Sequence, residues 1–181
     1  MKHIGTFQIQ TAHLILRQFH PNDIIDMAAW ASDPEVQFEY GEPVYESPDD
    51  VRELLNKYIR GYSSPEYYRW AIIECASNRN IGQIAFCRIY DDICTAEIEY
   101  CIAASYWGRG YAGEALDAVI RSTFIHTDFK KLEAYARSEN VKSVRVLEKS
   151  IMHKTDTVER FRRNGEIADG EECFCILASE V

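Results

Sequence analysis

The sequence predicts a mixed α/β domain, on three observations. The chain has 181 residues, with 46% hydrophobic and 27% charged side chains, which suits one soluble domain of about 100–200 residues. Its apolar positions switch along the chain between alternation and helical spacing. It has no repeats, low-complexity tracts or Pro/Gly-rich linkers at which to divide, so residues 1–181 read as a single domain.

Residues 11–19 read as a strand, with Leu14 and Leu16 alternating against Ile15 and Arg17. Pro21-Asn22-Asp23 starts a helix over 24–31. Ser47-Pro48-Asp49-Asp50 starts another, with Ser to cap, Pro at the first position and acid in the first turn. Val51, Leu54, Leu55, Tyr58 and Ile59 follow at helical spacing until Gly61. Strands over 68–74 and 80–90 flank the polar turn Ala76-Ser77-Asn78-Arg79, which predicts a hairpin. Asp91-Asp92 leads into a third strand, 95–103. Residues 110–124 are helical, with Leu116, Val119, Ile120 and Phe124 on one face. A strand over 132–137, a helix over 141–149 and a strand over 173–179 complete the chain. Strand, two helices, three strands, helix, strand, helix, strand implies one mixed sheet with helices on its faces.

Composition removes several function classes. A net charge of −9 argues against nucleic-acid binding, which needs clustered Lys and Arg; it is compatible with a cationic acceptor. No apolar run reaches the roughly 20 residues of a membrane helix. The first residues, Met1-Lys2-His3-Ile4-Gly5, do not resemble a signal peptide, so a cytoplasmic protein is expected. Six cysteines (Cys75, Cys87, Cys94, Cys101, Cys173, Cys175) form no Cys-x-x-Cys pair and are expected to be reduced core residues, with no metal.

The chemistry concentrates in residues 96–116. An alternating strand runs into Trp107-Gly108-Arg109-Gly110-Tyr111-Ala112-Gly113, and a helix begins at once. The first amides of a helix lack internal partners and sit at the positive end of its dipole. Such a corner is either a phosphate cradle or a tight turn with no ligand. It is neither G-x-G-x-x-G nor a Walker loop.

Glu97-Ile98-Glu99-Tyr100-Cys101-Ile102, followed by Tyr106-Trp107-Gly108-Arg109-Gly110-Tyr111-Ala112, resembles the acetyl-CoA signature of the GNAT superfamily, closest to its ribosomal-protein alanine N-acetyltransferase branch. Residues 11–19 resemble that branch's "TxRLxLRxF" strand, with His13 in place of an Arg. Asn140-Val141-Lys142-Ser143 leading to Glu148-Lys149 resembles its "NxxSxxxxEK" helix, and Asn164-Gly165-Glu166 with Asp169 its late hairpin. The resemblance implies a mostly antiparallel twisted sheet splayed at the acetyl-CoA site, helices on both faces, and acetyl transfer to a small amine or a protein N-terminal amine. It implies no metal, and a monomer or homodimer.

The same resemblance assigns roles. The amides of Gly108, Arg109, Gly110, Tyr111, Ala112 and Gly113 would bind the pyrophosphate, and the pantetheine arm would add beside Tyr100, Cys101 and Ile102. Trp107 either touches ligand or closes the loop as a core aromatic. Glu97, ahead of Glu99, is the candidate base; the two share a strand face that is either solvent or the acceptor cleft. The Tyr that many relatives use to protonate the leaving thiolate corresponds to Leu147, so Ser143 is the candidate acid and Asn140 a cofactor contact; plain helix capping explains both equally. Where relatives carry a helix-ending Gly this chain has Ile151, so either Ile151 is strained or the turn is rebuilt. Asp156 replaces a second common Gly. Against the transferase stand a catalytically decayed CoA-binding sensor or interaction protein of the same fold, and an unrelated α/β binding module.

Overall fold

A computed structural model describes residues 1–156 and 170–181. Its strands are β1 (Ile9–Gln10), β2 (Leu14–Arg17), β3 (Arg69–Glu74), β4 (Arg79–Tyr90), β5 (Thr95–Ile102), β6 (Lys131–Arg137), β7 (His153–Lys154) and β8 (Glu171–Leu177). They form one sheet in the order β1-β2-β3-β4-β5-β6-β8-β7. Every neighbouring pair is antiparallel except β5 and β6. The helices are α1 (Ile24–Ala31), α2 (Pro34–Tyr40), α3 (Pro48–Gly61), α4 (Tyr111–His126) and α5 (Val141–Lys149).

Strand alternation sends side chains to two cores. On one face Ile72, Ile98, Leu132, Ala134 and Phe174 pack with Leu116, Val119 and Ile120 of α4 and Leu147 of α5. On the other, Ala71, Ile73 and Cys101 pack with Met27 and Trp30 of α1 and Val51, Leu55 and Tyr58 of α3. Helices therefore cover both faces, as expected. Ser47 caps α3 reciprocally with Asp50, and Pro48 takes the first position.

Three expectations need correction. The strand expected over 11–19 is shorter, β2 alone, because residues 12–13 bend ahead of it, and a further two-residue strand, β1, precedes that bend. Three helices, not two, precede β3. The extra one, α2, is seven residues long, capped by Asp33 with Pro34 behind it and closed by Gly41 at φ 83°. Of the cysteines, all free, Cys101, Cys173 and Cys175 are buried, whereas Cys75 and Cys87 are exposed and Cys94 lies between. The expected hairpin at Asn164-Gly165-Glu166 and Asp169 lies outside the described residues.

The rebuilt helix end is resolved. Ile151 has no positive φ. Instead α5 stops at Ser150, which is extended (φ −75°, ψ 179°); its Oγ donates to the Leu147 carbonyl and accepts from the Met152 amide. Asp117 Oδ1 of α4 accepts the Ile151 amide at 3.2 Å.

Candidate active site

β5 and β6 run side by side only from Thr95↔Lys131 to Ile98↔Ala134. Both continue, to Ile102 and Arg137, but apart. A cleft of about 830 Å³ fills the opening, lined by both strands, the glycine loop and the first turns of α4 and α5. The Ala103 amide donates to Ile81 on β4. Because backbone groups alternate sides along a strand, Tyr100 and Ile102 turn theirs towards the cleft. There the Ile102 carbonyl accepts the Trp107 indole N–H at 2.7 Å. Trp107 thus ties the glycine loop to the end of β5, and Lys142 Nζ lies 3.7 Å from the centre of its ring.

The loop turns by positive φ at Gly108 (74°) and Gly110 (85°), a conformation that L side chains resist. Gly110 caps α4 without any side-chain bond. The first backbone bond of the helix is Glu114 N–H to the Gly110 carbonyl at 3.0 Å. Among the described residues, no carbonyl accepts from the amides of Tyr111, Ala112 and Gly113. A Cβ at Gly108, Gly110 or Gly113 would meet no atom within 4 Å. The corner is open, uncapped and rich in donors, so it fits an anion such as a diphosphate. Glu114, the acid of this turn, is bound elsewhere: Thr11 Oγ donates to it at 2.6 Å, and the His13 amide and ring also hold it. Burial works against its charge, but these bonds prevail and hold its carboxyl below the usual range.

Across the cleft α5 presents Lys142, Arg145 and Lys149, a helical 3,4 spacing that brings positive charge to the same opening. The sequence reading missed this stripe, although its period was visible. The Arg109 side chain is absent from the lining; it is half exposed and donates to the Ser105 carbonyl at 3.0 Å. Asn140 caps α5 through Oδ1 to the Ser143 amide (3.0 Å), and its Nδ2 holds the Glu39 carbonyl at the end of α2 (2.9 Å).

Glu97 and Glu99 both line the cleft, as does Cys101. Glu97 is buried at 7% exposure, with Arg88 Nε 3.9 Å from its carboxylate. Glu99 is paired with Arg69 at 2.8 Å. Although Cys87 reaches the surface at a bulge in β4 beside Glu97, partial desolvation and then the Glu97 and Glu99 charges push its thiol up, which leaves it a poor nucleophile. Leu147 is fully buried and carries no hydroxyl. A hydroxyl reaches the cleft from β5 instead: Tyr100 OH lies 2.9 Å from Ser143 Oγ, and both residues line the opening. Burial pushes the Tyr100 phenol up to about 12, the Ser143 bond opposing it. Among the described residues no cluster of His, Cys, Asp and Glu could hold a metal ion, and no helix is long and apolar enough to cross a membrane.

An open-edged strand pair leading to an uncapped helix start offers backbone hydrogen-bonding groups along one continuous cleft. Residues 13–153 match the acetyltransferase (GNAT) domain, and the chain belongs to that family of acetyltransferases. It is 27% identical over 153 residues to an uncharacterized N-acetyltransferase, YoaA, of Bacillus subtilis, covering 84% of this chain and 86% of the relative. The ribosomal-protein-S5-alanine acetyltransferase of Vibrio fischeri superposes with a TM-score of 0.75 at 14% identity, over 95% and 97% of the two chains. The spermidine N-acetyltransferase of Vibrio cholerae, solved with CoA and spermine, gives 0.73 at 22% identity, over 94% and 98%.

Proposed function

We propose that residues 1–181 form one catalytic domain whose cleft binds acetyl-CoA and passes its acetyl group to a primary amine by direct attack. The observation that carries this reading is the continuity of an edge of β5 that no strand covers, Tyr100 to Ile102, with the amides of Tyr111, Ala112 and Gly113 at the start of α4. The helix start suits a diphosphate, with Arg145 and Lys149 adding charge, and the strand edge suits the amides of a pantetheine arm. Bound there, acetyl-CoA supplies a thioester carbonyl carbon. Amides at the Tyr100–Ile102 edge polarise that carbonyl.

An alkyl amine has a pKa of about 10.4 and must lose a proton to attack. Glu97, buried at the cleft wall, accepts it directly or through a water. The N–C bond forms as the C–S bond breaks; the second proton that the acylated nitrogen sheds reaches the departing sulfur through Ser143, hydrogen-bonded to Tyr100, which gives its own proton and takes the nitrogen's in return. That hydroxyl pair supports an active enzyme over a decayed sensor, because it supplies the group that Leu147 lacks.

Calorimetry with acetyl-CoA, together with thiol release across a panel of primary amines, tests the reading. Tight binding with turnover of at least one amine is expected. Binding without thiol release from any amine favours the sensor, and no binding overturns the reading altogether.

A further inference from the structure

A second cavity, about 150 Å³, opens where the cleft ends; Tyr40 and Glu99 line both spaces. It lies under α1, α2 and α3, with Tyr45, Tyr58, Tyr67 and Arg69 in its wall. The Arg69 side chain is only 12% exposed. It donates to Glu99 at 2.8 Å and to the Tyr67 hydroxyl at 3.0 Å, and also binds Gln83. Its guanidinium lies 4.3 Å from the centre of the Tyr58 ring. The Glu99 carboxylate is therefore already neutralised inside the protein.

The remaining charges, Glu42 and Lys57, are exposed and cancel one another. What the pocket has to spare is O–H donors. Among the described residues the Tyr45 and Tyr58 hydroxyls make no hydrogen bond, and that of Tyr40 accepts from Gln83 Nε2 at 2.8 Å with its own proton left to give. Burial raises all three phenols, which keeps them protonated.

We infer that this pocket holds the arm of the acceptor amine, that it takes an uncharged arm carrying a hydrogen-bond-accepting oxygen, and that Arg69 excludes acceptors bearing a second ammonium. The inference rests on the transferase reading above and narrows its substrate class. A second ammonium would lose its water beside a fixed guanidinium whose carboxylate partner is already engaged, and specificity of this kind comes from leaving the wrong ligand unpaired. An alcohol or amide oxygen instead meets phenol protons over aromatic faces.

Three amines of matched length separate the possibilities: 5-amino-1-pentanol, 5-aminopentanamide and 1,5-diaminopentane, assayed by thiol release from acetyl-CoA. The wild type should prefer the alcohol or the amide over the diamine at least tenfold in kcat/KM. Arg69→Gln frees Glu99 and should shift the ratio at least tenfold towards the diamine. Glu99→Gln, which leaves Arg69 as the net charge, should shift preference at least tenfold towards 5-aminopentanoate over the diamine. Ratios measured within one preparation do not depend on the fraction folded. A wild-type preference for the diamine, or ratios unmoved in both variants, overturns the inference. Thiol release from no amine at all, with acetyl-CoA still bound, overturns the transferase reading and this inference with it.

Discussion

The Tyr100 hydroxyl on β5 and Ser143 Oγ on α5 lie 2.9 Å apart across the inner end of the splay. One comes from a strand whose backbone faces the cleft and the other from the first turn of a helix, so the pair sits where strand and helix converge. If the pair protonates the thiolate, Ser143→Ala and Tyr100→Phe should each lower kcat by about a hundredfold, within the range of general acid catalysis. The affinity for acetyl-CoA should change little. A normal kcat in both variants removes the pair from the chemistry.

Alkaline stability follows from the same burial. The folded chain keeps the Tyr100 proton to about pH 12, whereas the unfolded chain releases it near the ordinary phenol value of ~10. The resulting stabilisation is complete below that ordinary value and is lost as pH rises towards 12. The unfolding midpoint should therefore drop over that interval, and Tyr100→Phe should lessen the drop. Tyr58 and Tyr62, also raised by burial, maintain the remainder.

Gly113 separates ligand access from folding. It is helical, has no positive φ and faces empty space. Gly113→Leu should leave the melting temperature unchanged or raise it, since a helical Gly costs about 1 kcal/mol relative to a good helix former. Its side chain should cost at least tenfold in acetyl-CoA affinity by calorimetry. Unchanged affinity would sink the cradle at the start of α4.

Asn140 can be divided by chemistry. Asn140→Ala loses both the cap to Ser143 and the tether to Glu39, and should cost about 1 kcal/mol in chemical denaturation. Asn140→Asp keeps the cap acceptor. If acetyl-CoA affinity survives in the Asp variant, capping is the main role of the residue.

Glu97→Gln should lower kcat by about a hundredfold with acetyl-CoA binding intact. A normal rate in this variant would move the base elsewhere.

Much of this was legible in residue order. The corner of Trp107, Gly108 and Gly110 announces itself because its geometry depends on residue types that only the backbone explains. The helix at Pro34–Tyr40 carried the same start signature as its neighbour, a capping side chain before Pro, but seven residues show too little periodicity to separate helix from loop. The strand at His153–Lys154 is two residues long, below any pattern. Arg69 was not readable at all: its alternating strand neighbours look ordinary, and only folding brings Glu99, Gln83 and Tyr58 around it. Tyr100 was visible as a strand residue, while the helix that meets its hydroxyl is 43 positions away.

The parting of β5 from β6 after Ile98 and Ala134 has an evolutionary corollary. Whatever pairs with that exposed edge is held by main-chain atoms, which substitutions scarcely alter. If the cavity beneath the first three helices holds the acceptor, drift in its tyrosines and charges can retune the choice of partner amine while the donor stays in place, so new selectivities can arise one residue at a time.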